Sequence, residues 1–438
     1  MALSAGGKAF YNVTILGVAF LLVFTAFQTC GMIQTVVLRD DKDFQGSGYD
    51  SLAIIYAVFA AANWIAPSVV ALLGARCSMF LSAVVYTGFV ASFLHPIPWV
   101  LYSLSGLLGL AAAVIWTAQG NYLTENSTEQ TMGRNSGLFW AMLQGSLLFG
   151  NLFFFLEMEG INSVTTHLRT IIFIVLTVIS GVGVLTFLFL TKPPEEFSSL
   201  SIQEEGPTGG FGLLMKAVTA FVRSAKLMLN KEMLIISVTN FYTGLELTFF
   251  SGVYGTAISN TKSFGADSNS FIGISGMLIG AGEITGGLLF GILGKKTIKF
   301  GRDPIVLLGY VVHMICFYLI YINLPAESPI NPVFPRNGVP LSIIGPNIEL
   351  AFACSFMLGF ADACFNTQIY SLLGSYFKSD SASAFALFKF IQSAAAAIAF
   401  AYSLVILLHW QLLILVICGT LGTLSFFYVE HHPPRNEI

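Results

Sequence analysis

The stretch KPPEEFSSLSIQEEGPTGGFGLLMKAVTAFVRSAKLMLNK, Lys192 to Lys231, divides the chain. Cutting at every loop leaves six apolar segments before it and six after it, each long enough to cross a bilayer. A span needs about 20 mostly apolar residues to cross roughly 30 Å of hydrocarbon. Hydrophobic residues fill 55% of the 438 positions and charged residues only 10%. Mean hydropathy is +0.78, which a water-soluble domain of this size does not tolerate. The expected fold is an all-α membrane protein with twelve transmembrane helices in two six-helix bundles. The expected units are residues 1–191, a linker over 192–231 and residues 232–438. The first apolar run, from about Phe10, is too long for a cleavable signal peptide and leads into further spans.

Charge placement orients the chain. With a cytosolic amino terminus, the cytosolic loops hold fourteen Lys and Arg residues, among them Arg76, Arg134, Lys295, Lys296, Arg302 and Lys378. The opposite side holds five: Arg39, Lys42, Arg169, Lys262 and Arg336. That bias predicts both termini and the linker in the cytosol. The sequons at Asn12 and Asn126 then fall within a span and on the cytosolic side, and neither is expected to carry a glycan.

The linker has two parts. Lys192 to Gly212 is rich in Pro, Glu, Ser and Gly and reads as a flexible tether. From about 213 to 229 an amphipathic helix is expected. Leu214, Val218, Phe221, Val222, Ala225, Met228 and Leu229 fill one arc and Lys216, Thr219, Arg223 and Lys226 the other. Such a helix suits an anionic leaflet surface, with Lys216, Arg223 and Lys226 toward the headgroups; calmodulin targets share the pattern.

The halves also resemble each other. A shift of about 220 residues places Gln28 opposite Glu246, Asn63 opposite Glu283 and Gly74 opposite Gly294. Further on, Thr117-Ala-Gln-Gly resembles Asn366-Thr-Gln-Ile, and Trp140-Ala-Met-Leu-Gln resembles Phe388-Lys-Phe-Ile-Gln. A parallel six-plus-six repeat is the plan of the major facilitator fold.

Four charged residues fall inside spans: Glu246, Glu283, Asp362 and Lys389. Each costs about 2.5 to 3.5 kcal/mol at mid-membrane, so each must face protein or water. Glu246 stands near Asn240, Tyr242 and Thr243, and reads either as a group that gains and loses a proton or as a fixed hydrogen bond to a neighbouring span. Asp362 and Asn366 share one helix face. On the major facilitator plan, Gln28, Gln119, Glu246 and Asp362 look into one cavity from four sides. Gln119 and Asn121 with Trp116 form a solute patch or, equally, bonds between spans. Glu283 reads as a contact between the halves or a gating group. Lys389 either snorkels to headgroups or pairs with Asp362 or Glu246. His313, lacking a partner in its own span, is assigned no role. The six cysteines read as small packing residues.

No phosphate-binding loop, zinc-protease helix or serine nucleophile turn appears, so no enzyme is expected. No cofactor, metal or nucleic-acid partner is expected either. The glycines at 276, 280, 282, 286, 287 and 291 predict close helix packing. Gly291-Ile-Leu-Gly-Lys-Lys through Arg302 resembles the cytosolic gating signature of the major facilitator superfamily. Its counterpart Gly74-Ala-Arg76 is eroded, and the usual acidic residue is missing in both places.

Longer motifs sharpen the resemblance. Ile15-Leu-Gly-Val-Ala-Phe, Phe24-Thr-Ala-Phe-Gln-Thr-Cys-Gly, Trp116-Thr-Ala-Gln-Gly, Gly133-Arg-Asn-Ser-Gly and Tyr242-Thr-Gly-Leu-Glu-Leu-Thr-Phe-Phe resemble the Unc-93-like branch of that superfamily, from about Ile15 to Glu430. The resemblance implies the major facilitator fold. It leaves two functions open: a secondary transporter of an unknown small solute or ion, with proton coupling, or a non-transporting subunit that regulates or escorts another membrane protein. The branch takes its name from a potassium-channel regulator, and another relative escorts innate immune receptors.

Overall fold

The computed structural model describes residues 4–40, 44–46, 48–158, 166–198, 210–265, 268, 270–335, 341–403 and 405–432. The side chains of residues 291–300 and of Lys216 lie outside that description, as do residues 199–209 of the expected tether. The first half is built from α1 (Ala5–Asp40), α2 (Gly48–Ala62), α3 (Ala66–Leu73), α4 (Ala75–Ala91), α5 (Pro98–Glu125), α6 (Glu129–Met158) and α7 (Thr166–Phe187). A short α8 (Glu195–Ser198) and the linker helix α9 (Gly210–Met228) follow. The second half contains α10 (Lys231–Thr248), a π-helical turn (Phe249–Val253), α11 (Tyr254–Asn260), α12 (Phe271–Phe300), α13 (Asp303–Asn323), α14 (Ile348–Tyr376), α15 (Ser381–Ser403) and α16 (Leu408–His431).

Among the described residues, ten helices are long and apolar enough to span a membrane, and α2 with α3, bent by 71°, makes an eleventh. The remaining span is α6, about 45 Å long at 1.5 Å per residue. It runs antiparallel to α12 from the end of the bundle that carries the linker, here the linker end. The bend in the second span has a local cause. Pro67 has no N–H to bond the carbonyl of Asn63, and the Asn63 side chain instead donates to the Phe59 carbonyl at 2.8 Å. Leucine, valine and isoleucine side chains of α7, α13 and α16, such as Val178, Leu185, Ile315 and Leu424, stand exposed on the outside, as lipid-facing positions require.

Glycine sets how the halves meet. A Cβ at Gly276 would lie 2.9 Å from the Asn151 side chain, and one at Gly287 would lie 2.9 Å from the backbone of Gly137 and Ala141, both on α6. On the other face of α12, a Cβ at Gly286 would meet that of Ala363 at 2.6 Å, and one at Gly282 would overlap the Phe356 carbonyl of α14. So α12 is held between two helices at backbone distance. The opposite seam, α2–α3 against α15, is made of rings. Tyr56 meets Phe400 at 6.2 Å and Trp64 meets Phe390 at 5.2 Å between centroids.

At the linker end the halves are closed. Ser381 donates to Asn121 Oδ1 at 2.7 Å, Lys378 reaches the Ser127 carbonyl at 3.5 Å, and a Cβ at Gly120 would overlap the Phe385 ring. The linker helix straddles this closure: Ser68 donates to the Ala217 carbonyl at 2.8 Å, and Ser224 to Ser383 Oγ at 2.9 Å. Val218, Phe221, Val222 and Leu229 face outward. The helix therefore has a third face, through Ala217 and Ser224, that the two-arc reading lacked, and it rests on α3 and α15 as well as presenting an apolar side.

Two turns depart from the expected repeat. Gly74 at φ 75° leads into α4, and Gly301 at φ 76° leads to α13, so Gly74 corresponds to Gly301 rather than Gly294. Both positions require the left-handed conformation that glycine adopts without strain. The arginines beside them act alike. Arg76 donates to the Leu190 carbonyl beyond α7 at 3.0 Å, and Arg302 pairs with Glu430 of α16 at 2.8 Å.

Candidate functional site

Tyr242 and Glu246 lie one turn apart on α10 and face α13 together. There the Tyr242 hydroxyl stands 2.7 Å from His313 Nδ1, and Glu246 Oε1 stands 2.7 Å from His313 Nε2. All three side chains are fully buried. The imidazole lies between the Phe317 and Phe365 rings, at 5.2 and 5.8 Å and nearly parallel to both. A phenol donating to Nδ1 leaves the ring proton on Nε2, toward Glu246. The carboxylate contact is close but off-axis, a charge contact more than an aligned hydrogen bond.

Asp362 on α14 is the junction of the cluster. It accepts from Asn366 Nδ2, one turn on, at 2.7 Å. It also lies within electrostatic reach of Glu283 on α12 and of Glu246, His313 and Lys389. Glu283 has a second partner across the halves: Trp140 Nε1 of α6 donates to Glu283 Oε2 at 2.5 Å.

Lys389 on α15 is buried at the other side of this group. Its ammonium donates to Gln392 Oε1 at 2.8 Å, and Gln392 Nε2 donates to Thr243 Oγ1 at 3.2 Å. It lies over the Trp116 ring of α5 at 4.5 Å, over Phe388 at 4.7 Å and over Tyr370 at 5.8 Å. Among the described residues, several buried polar groups around the cluster have no protein partner: both ends of the Gln119 amide, both ends of the Asn240 amide, Asn366 Oδ1 and the Tyr370 hydroxyl.

Several expected placements change. Glu246 points into the second half's own interior, toward α13, because the Tyr242 face of α10 turns that way. Gln28 accepts from Ser146 of α6 at 2.9 Å, inside the first half. Asn121 is engaged at the closure by Ser381 and by Glu125, which is the bonding between spans that the sequence offered as its other reading. Arg302, expected between the halves, is held wholly within the second: Glu430, Ser371 and Ser375 accept its guanidinium N–H groups, and Tyr376 stacks beneath it. Glu430 is the acid that the motif lacked locally. Lys389 neither snorkels nor makes an ion pair within 4 Å among the described residues. His313, assigned no role, is the partner of two residues of α10; the signal was a second ionisable group buried in a neighbouring span. Arg223 and Lys226 lie on α9, half-buried and exposed respectively.

The first half answers with neutral groups. Asn12 donates to Asn126 Oδ1 at 2.7 Å and accepts from Thr191 Oγ1 at 2.8 Å, and both asparagines are fully buried. Neither sequon amide is open to a glycan. Among the described residues no three of His, Cys, Asp and Glu are grouped as metal ligands. A recess of about 420 Å³ bounded by Tyr321, Leu341 and His409 lies at the opposite end from the linker and includes none of the cluster.

Comparison with known proteins agrees with this architecture. Residues 19–427 match the family model described as ion channel regulatory protein UNC-93. The UNC93-like protein MFSD11 of Xenopus laevis is 52% identical over 437 residues, covering 98% of this chain and 97% of that protein. Among solved structures, the proton:xylose symporter XylE superposes with a TM-score of 0.65 at 14% identity, covering 98% of this chain and 95% of that one. The E. coli fucose:proton symporter FucP superposes with a TM-score of 0.66 at 12% identity, covering 96% and 99%. The fold is therefore that of the major facilitator superfamily, and the chain is a multi-pass integral membrane protein. With a family model matching nearly its whole length and a full-length relative at 52% identity, this chain belongs to the UNC-93 family.

Proposed function

We propose that the protein is a secondary transporter of a small solute, with proton movement through Asp362 coupled to rearrangement of the halves. The observation that carries this reading is the bond from Trp140 to Glu283, because it joins the halves through a carboxyl that also feels the charge of Asp362. Adding or removing one proton at that pair changes what Glu283 offers Trp140, and so biases which arrangement of the halves is favoured. His313 and Glu246 extend the same group toward α10 and α13. The positive-inside bias supports a cytosolic linker end, and with that orientation the closed end described above faces the cytosol. On this reading the chemistry is passage of a solute and a proton, and no covalent reaction is involved.

The test uses purified protein in liposomes that contain a pH-sensitive dye, challenged with a broad metabolite panel under an imposed proton gradient. A solute that moves protons with the wild type, and fails with Asp362→Asn, supports the reading. Solute-driven flux that survives Asp362→Asn unchanged removes that residue from the mechanism, and absence of flux for the whole panel favours the second reading.

That second reading is a subunit that regulates or escorts another membrane protein. It is favoured by the description of the matching family as ion channel regulatory proteins. Capture of a partner would then be indifferent to Asp362→Asn and sensitive to changes on the lipid-facing side.

A further inference from the structure

We propose that the solute is an organic anion whose charge is bound by Lys389, with its apolar body against the Trp116 and Tyr370 rings; this rests on the transport reading above. An ammonium has three N–H donors and no acceptor. Here one goes to Gln392 Oε1, and Gln392 is itself fixed by Thr243. The remaining donors face aromatic rings, and among the described residues no carboxylate stands within 4 Å. Rings attract a cation less strongly than a buried ammonium needs to replace its water. Asp362, the acid whose charge reaches it, accepts a hydrogen bond from Asn366 at 2.7 Å. The ammonium is therefore under-satisfied at a place built from both halves, since Trp116 comes from α5 and Lys389 from α15.

Its neighbours are suited to the same guest. Among the described residues the buried Tyr370 hydroxyl has no partner, and neither end of the amide of buried Gln119, less than one turn beyond Trp116 on α5, has one. A phenol and an amide N–H both donate to a carboxylate. Packing does not demand a lysine at this position. The repeat that sets Trp140 against Phe388 puts Ala141 opposite Lys389. A cation, a phenol and an amide with three rings recognise a carboxylate on an apolar frame.

The experiment titrates full-length protein in lipid nanodiscs with benzoate and hexanoate and with the uncharged benzamide and hexanamide, read by intrinsic tryptophan fluorescence. At least one carboxylate is expected to bind the wild type, with its amide weaker by about tenfold or more. Lys389→Met is expected to lose the carboxylate by a similar factor, Lys389→Arg to retain part of it, and Trp116→Phe to lose much of the fluorescence change. Elution profile and melting temperature establish that each variant is folded, with Lys389→Gln as a second neutral variant. Equal binding of carboxylate and amide, unaltered carboxylate binding by the folded neutral variants, or no carboxylate bound by the wild type each overturns the proposal. The same compounds in the liposome assay separate the two claims. Lys389-dependent binding without flux would sink transport and leave the anion site. Flux of neutral solutes that ignores Lys389 would sink the anion site and leave transport.

Discussion

The two seams between the halves are built on opposite principles. Along α6 and α12 the contact is backbone on backbone, with Gly276, Gly280 and Gly287 in place of side chains. Along α2–α3 and α15 the contact is ring on ring, the helix is interrupted, and Lys389 is buried nearby. A glycine seam allows little sliding without overlap, whereas rings can tilt and re-pack. The repeat that relates the halves thus preserves helix order while dividing the packing: glycine at the seam that carries the Trp140–Glu283 bond, rings at the other. The same division runs through the polar residues. Where the first half has Gln28, Asn63 and Ala141, the second has Glu246, Glu283 and Lys389.

The largest effect is expected from Gly287→Leu, which would drive α6 from α12; loss of the monodisperse peak in size-exclusion chromatography is the expected result. Trp64→Leu at the opposite seam should leave that peak in place. If both variants elute as folded protein, the contrast between seams fails. Next, Glu246→Gln is expected to abolish solute-driven proton flux, while Gln28→Leu at the repeat-related position only slows it; equal loss in both would assign the proton chemistry to neither half in particular.

A third test carries the contrast to the clasps within each half. Arg302→Lys gives up the forked contacts to Glu430, Ser371 and Ser375, and should cost about 1 to 3 kcal/mol of stability in denaturant melts. Arg76→Lys loses one bond to a carbonyl, so its cost should stay near about 1 kcal/mol. The smallest effect is expected at the linker. Changing Lys216, Arg223 and Lys226 together to Glu should weaken attachment of α9 to anionic lipid by about 1 kcal/mol per residue. Amide exchange over α9 in anionic against zwitterionic nanodiscs reads this directly, and identical exchange in both lipids would discount surface binding.

Much of this was legible from composition and spacing. The spans follow from hydropathy, and the glycine row on α12 announces close packing before any partner is known. What was hidden is whatever depends on two distant segments meeting. His313 has no companion on its own helix; Tyr242 and Glu246 reach it from a helix about 70 residues earlier in the chain. Glu430 completes the Arg302 clasp from near the end of the chain, so a motif read locally looked broken. Asn121 and Gln119 differ by two positions on α5, and that rotation alone sends one to the closure and leaves the other buried without a partner. Periodicity establishes that a residue is polar in a span; the facing helix decides what it does.

The bend at Asn63 has one more consequence. A backbone carbonyl without its amide is costly in hydrocarbon, and broken helices persist at membrane depth only beside protein or water. Since Pro67 removes the donor that the Asn63 carbonyl would have used, and the Asn63 side-chain oxygen has no partner among the described residues, this elbow is where water is expected to enter the span. In deuterated buffer, the amides around Trp64 and Ile65 should exchange well ahead of those in the middle of α6. The second span would then mark how deep solvent reaches into the protein.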